Sequence, residues 1–167
     1  ACIALKDGLK SLSRERIGHE WLKLLMARRC HETIALMKQQ DLLTTILPAE
    51  PDPARLHSLL DLCPDANSML RLFALLWPDE ATIAMCQTHL RLSNQQTRHL
   101  SNLHKALSSP SPLASQNQNP HDLHLWAFRN GQPRAKEALT LLAIQNGLSL
   151  QELEAKYAQI ASIPDRS

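Results

Sequence analysis

The stretch Asp65-Ala66-Asn67-Ser68-Met69-Leu70-Arg71-Leu72-Phe73-Ala74-Leu75-Leu76-Trp77 decides the fold class. Its apolar residues, Met69, Leu70, Leu72, Phe73, Leu76 and Trp77, fall on most sides of a helix instead of on one stripe, the pattern of a helix at the centre of a bundle. Asp65 is placed to cap this helix. Pro78-Asp79 ends it and opens another over about 79–90.

Helical signals flank the centre on both sides. Ser13 precedes Ile17, Trp21, Leu24 and Leu25, which recur at i, i+4, i+7 and i+8 and predict a helix over about 14–29. Its opposite face carries Arg14, Arg16, Lys23 and Arg28. Ile34, Met37, Leu42, Leu43, Ile46 and Leu47 run up to Pro48 and break near Asp41, which predicts a helix with a short helical continuation. Pro48, Pro51 and Pro53 punctuate a turn, and Pro53 suits the first turn of a helix through Leu62. Ser93 with Gln96 forms a capping-box start for a helix to about Leu107. Residues 108–120 hold no charge and almost nothing apolar, a flexible linker between two helical lobes or a long loop within one domain. Beyond it, Leu123, Leu125, Trp126 and Phe128 predict a short helix ending near Gly131. Pro133 starts the next, which runs to a C-cap at Gly147, and Ser149 with Glu152 caps a last one to about Ile163. No alternating β pattern and no exact repeat occurs. The expected fold is all-α, an irregular bundle of about eight or nine short helices.

Composition narrows the function. The chain has 167 residues, 44% hydrophobic and 20% charged, enough to bury a real core in one domain or two small helical subdomains. The four glycines, Gly8, Gly18, Gly131 and Gly147, are too scattered for a phosphate-cradling loop. The four cysteines, Cys2, Cys30, Cys63 and Cys86, form no close pair of the kind that zinc sites or redox motifs need, and read as reduced, mostly buried thiols of a cytosolic protein. No apolar run approaches a membrane span and no signal peptide is visible, so a cytoplasmic location without membrane contact is expected. The sequence opens without methionine, in what reads as the tail of a helix over Ala1–Lys6, hinting at a piece of a longer protein. The net charge of +2 hides a segregation: +4 over residues 1–40, −5 over 41–90 and +3 over 91–167. Basic ends of this size suit either a phosphate backbone or ordinary solvated faces.

The constellations that could carry chemistry are weak. His121-Asp122 with His124 resembles a metal set but lacks ligands from other helices, and reads as a polar helix start. Cys30-His31 point about 100° apart on a helix and read as a buried thiol beside a surface histidine. Trp21, Trp77 and Trp126 could stack bases, yet they lie on apolar stripes and read as core. Glu152 and Glu154 read as solvated. No catalytic residue and no metal ligand is expected in the chain.

A resemblance carries the reading further. Ser13-Arg14-Glu15-Arg16-Ile17-Gly18-His19-Glu20-Trp21-Leu22-Lys23-Leu24-Leu25 resembles the S-x-E-R-I-x-x-E-x-x-K-L-L segment behind the catalytic head in the bacterial tRNA nucleotidyltransferase (class II CCA-adding enzyme) and poly(A) polymerase family. Asp41-Leu42-Leu43-Thr44-Thr45-Ile46-Leu47-Pro48 is similar to that family's D-L-L-x-x-I-L-P phrase, and Leu90-Arg91-Leu92-Ser93-Asn94 with Arg98 to its L-R-L-S-N-x-x-x-R phrase. The three phrases cover roughly residues 1–107; the remainder matches in helical character only. Trp21 stands where the family commonly has leucine.

The resemblance implies a neck over 1–48, a helical body over 49–107 and a helical tail over 121–167. In the family these parts pack on the head and hold the tRNA elbow and acceptor stem, so that the 3′ end reaches the active site. The head's glycine-serine turn, D-x-D pair and E-D-x-x-R motif do not occur here, so Mg²⁺ and CTP or ATP belong to the missing head, and this chain by itself is not expected to catalyse. The partners implied are that head and tRNA or another RNA 3′ end. Arg14, Arg16, Lys23 and Arg28 on the neck and Arg91 and Arg98 on the body are the residues placed for RNA or interdomain contact. Arg16 and Glu20 equally suit ion pairs holding the neck to the head, which contribute little when exposed. Whether the parent adds CCA or poly(A) lies outside this sequence. The alternative is a helical protein-interaction domain whose acidic middle, Asp52, Asp61, Asp65, Asp79 and Glu80, meets a basic partner.

Overall fold

Ser13, extended at φ −64° and ψ 146°, accepts a hydrogen bond from the Arg16 amide and starts α1 (Arg14–Met26) in the computed structural model. The structure describes residues 13–113 and 120–162, which leaves Ala1–Lys6 and the middle of the 108–120 segment outside the described residues. After α1 come α2 (Cys30–Gln39), a 3₁₀ turn (Leu43–Thr45), α3 (Pro53–Leu62), α4 (Ser68–Leu76) and α5 (Glu80–Leu90). Then follow α6 (Asn94–Ser108), α7 (Pro120–Asn130), α8 (Gln132–Asn146) and α9 (Leu150–Ala161), with no strand among the described residues. The fold is all-α, an irregular bundle of short helices.

Helix α4 is the centre the sequence points to. All eight residues from Met69 to Leu76 are buried, and α4 packs against α1, α3 and α6. Its cap is Asn67, not Asp65: the Asn67 side chain accepts from the Leu70 amide, while Ala66 is buried under the turn that precedes it. Pro53 sits in the first turn of α3 and both capping boxes, Ser93 with Gln96 and Ser149 with Glu152, are complete, as the sequence predicts. The cap of α3 itself is Asp52, which accepts from the amides of Ala54 and Arg55. One hydrophobic core runs from Ile17 to Ile160 and includes residues on both sides of the 108–120 segment. The seams that carry it are α5 on α6, α6 on α8, α1 on α5, α3 on α4 and α9 on α8.

Helix α1 stops at Met26, earlier than periodicity alone predicts, and Arg28 lies in the turn beyond it. Arg71, a buried cation 5% exposed in the middle of α4, meets this end of α1. Its Nη1 donates to the Leu25 carbonyl at 2.8 Å and to the Ala27 carbonyl at 3.4 Å, while Nε and Nη2 donate to Ala66 and Pro64 at 2.7 and 2.8 Å. The guanidinium thus satisfies carbonyls left open at the end of α1 and favours the negative end of its dipole. Helix α1 also lies unusually close to the C-terminal end of α5. A Cβ built on Gly18 would sit 1.9 Å from the Leu90 carbonyl oxygen, so only glycine allows the two backbones this crossing.

Candidate nucleic-acid interface

The periodicity that buries Ile17, Trp21 and Leu25 leaves Arg16 and Lys23 on the outer face of α1. Lys23 Nζ lies 3.0 Å from Glu20 Oε1, and the Lys23 hydrogen bond and charge hold the Glu20 carboxyl below its usual range. Arg14 turns away from this face and donates from Nη1 to the Thr45 carbonyl at 3.3 Å, tying the start of α1 to the 3₁₀ turn. Arg28 is exposed in the α1–α2 turn; its neighbour Arg29 is neutralised by Glu32, 2.7 Å away. Among the described residues Arg16, Arg28, Arg91 and Arg98 make no ion pair.

The close crossing at Gly18 opens a cleft of about 660 Å³ beside it, between α1 and the α5–α6 turn. Glu15, His19 and Leu22 line one wall; Gln87, Thr88, Arg91 and Gln96 line the other. Arg91 closes α5 in the left-handed region, at φ 51° and ψ 44°, a conformation that favours glycine and costs an arginine. The structure therefore brings Arg91 to the α1 side of the molecule, while Arg98 is exposed farther along α6. Sequence reading missed His19, Gln87 and Gln96 as cleft residues. The glycine inside the α1 pattern was the available signal, because an interior glycine marks a close approach.

Guanidinium and ammonium groups on an open helical surface are suited to phosphate oxygens, which fix a duplex in place without reading its bases. The neighbouring carboxylates Glu15 and Glu20 limit the net positive field of this face. Among the described residues no three His, Cys, Asp or Glu side chains come together to hold a metal. Cys30 is buried with Sγ 3.9 Å from Arg71 Nη1, and burial pushes the Cys86 thiol up to about 12. His31 is not the surface residue its sequence suggests. Its ring stacks on His57 with centroids 4.3 Å apart, and its Nδ1 is buried without a hydrogen-bond partner.

Trp21 and Trp126 are core, 3% and 6% exposed, whereas Trp77 is only half-buried. The Trp21 indole N–H is buried without an acceptor among the described residues, a cost that the leucine common in the resembling family avoids. Two members of the acidic middle serve the fold: Asp52 caps α3, and Asp79 caps α5 by accepting from the Thr82 amide at 2.8 Å. No helix among the described residues is long and apolar enough to cross a membrane.

A search of curated proteins and a search of solved structures each find no match to the chain. A family model described as the probable RNA and SrmB-binding site of polymerase A matches residues 1–50, the segment that contains α1, α2 and the 3₁₀ turn. The first fifty residues are thus similar to a poly(A) polymerase-like RNA-binding region.

Proposed function

We propose that this chain is the RNA-holding part of a tRNA nucleotidyltransferase or poly(A) polymerase-like enzyme, positioning tRNA so that its 3′ end is presented for nucleotide addition. The observation that carries the reading is the coincidence of the family match over 1–50 with the outer face of α1, where Arg16 and Lys23 project, next to the cleft bearing Arg91. The D-L-L-x-x-I-L-P and L-R-L-S-N-x-x-x-R phrases extend the likeness beyond that segment and support the tRNA-specific form of the proposal. The reading assigns Mg²⁺ and CTP or ATP to a separate catalytic head, docked on the neck helices, and gives this chain no bond-making step. A cytoplasmic setting belongs to the same proposal.

The role of the chain's own residues is electrostatic and geometric. Arg16, Lys23 and Arg28 contact phosphates along one strand, and Arg91 and Arg98 extend the track toward the body. Two double variants test this, Arg16→Ala with Lys23→Ala and Arg91→Ala with Arg98→Ala. Each removes two phosphate contacts, so each is expected to weaken tRNA binding and to flatten the plot of log affinity against log salt by about 1 to 2. Unchanged affinity and slope in both variants would leave the proposal without its surface.

A further inference from the structure

Trp77 packs against the core but, unlike Trp21 and Trp126, stays half-buried. It closes α4 in the left-handed region, at φ 45° and ψ 59°, where a bulky residue is strained and glycine is usual. The Phe73 ring meets it edge-on at 5.6 Å, and the Arg55 guanidinium lies over it, 5.2 Å from the ring centroid. Arg55 is itself held by Asp52, with Nη2 3.2 Å from Oδ2, so the cation and the ring form a fixed pair. Beside this pair, where α3 and the end of α4 meet α8, lies a cavity of about 240 Å³ lined by Arg55, Trp77, Ile144 and Gln145. Gln145 is exposed and its amide has no hydrogen-bond partner among the described residues.

An aromatic ring, a guanidinium plane, an aliphatic residue and one free amide make a set that matches a planar heteroaromatic ligand. Rings and guanidinium planes stack on bases, and a glutamine amide offers an adjacent donor and acceptor that match those on adenine. The cavity is smaller than the usual range for whole small molecules, about 300–1,000 Å³, and so suits a single base. Resting on the RNA-holding reading above, we propose that this pocket takes one unpaired nucleobase of the bound RNA, adenine in preference. Trp77 and Arg55 form its stacking wall and Gln145 contacts its edge. The pocket adds a contact to single-stranded RNA that the phosphate-directed face of α1 lacks.

The test compares a blunt RNA duplex, oligo(A) and oligo(U) by fluorescence anisotropy on the full chain, its Trp77→Leu variant and its Gln145→Ala variant, with circular dichroism melts to check folding. Wild type is expected to bind oligo(A) more tightly than oligo(U), with a change in indole emission. Trp77→Leu is expected to lose about tenfold in oligo(A) affinity together with that emission change, and to keep duplex binding. Gln145→Ala, an exposed position that leaves the fold intact even if Trp77→Leu does not fold, is expected to lose the preference for oligo(A). Oligo(A) binding by Gln145→Ala with wild-type affinity and preference, while the duplex still binds, overturns the pocket and leaves the RNA reading standing. A wild-type chain that binds none of the three RNAs overturns both.

Discussion

Arg71 shows how a single residue sets the course of the chain. Its guanidinium reaches the carbonyls of Leu25, Pro64 and Ala66 from inside α4 and so joins the end of α1 to the turn before α4. Arg71→Leu keeps the volume apolar but strands those acceptors in a buried place, and is expected to cost about 3 kcal/mol or more, read as a fall in the urea midpoint. Arg91 is the opposite case, a side chain kept where the backbone favours glycine. Arg91→Gly relieves a left-handed conformation worth about 1 kcal/mol and is expected to hold or raise the melting temperature while lowering RNA affinity. A variant that loses stability and keeps affinity would remove Arg91 from the interface. Arg71 does not announce itself in sequence, because its role depends on groups far along the chain; the L-R-L-S-N phrase singles out Arg91, but not the left-handed backbone that holds it.

At the scale of helices, what sequence reveals divides by range. Ser13, Ser93 with Gln96, and Ser149 with Glu152 are legible because a cap is closed by residues three apart. The crossing of α1 and α5 is not, since Gly18 and Leu90 lie 72 positions apart and meet only in the folded chain. Gly18→Ala drives a Cβ into the Leu90 carbonyl, which α5 relieves only by moving. The expected cost is about 3 kcal/mol, with loss of the adjoining cleft, and a thermal melt with an RNA titration reads both. Caps also set the acid response. Hydrogen bonds from Thr82 hold the Asp79 carboxyl below its ordinary range, and bonds from Ser149 do the same for Glu152. A carboxyl lowered in the folded state stabilises above its unfolded value, and that stability is lost as pH falls through the lowered one. Helices α5 and α9 are therefore expected to loosen first at their N-termini below about pH 4, which hydrogen exchange would detect, and Asp79→Asn should flatten the response at α5.

Across the whole molecule, one core joins the first described helix to the last, and Asp52 and Asp79 of the acidic middle cap helices while the cationic residues of α1 and the α5–α6 turn remain outside. The helical class was legible from the apolar run of α4, and the exposed cations of α1 from the phrase around Arg16 and Lys23. The grouping of Arg91 with the α1 wall, and the half-buried position of Trp77, depended on how helices cross. The central claim is that this surface holds tRNA, and binding to the isolated 167-residue chain tests it most directly. Fluorescence anisotropy would compare a tRNA transcript lacking its CCA end with a hairpin control at about 50 and about 200 mM salt. The account predicts saturable binding that favours tRNA over the hairpin and weakens steeply with salt. No binding at either salt, or equal binding of both RNAs, would contradict it.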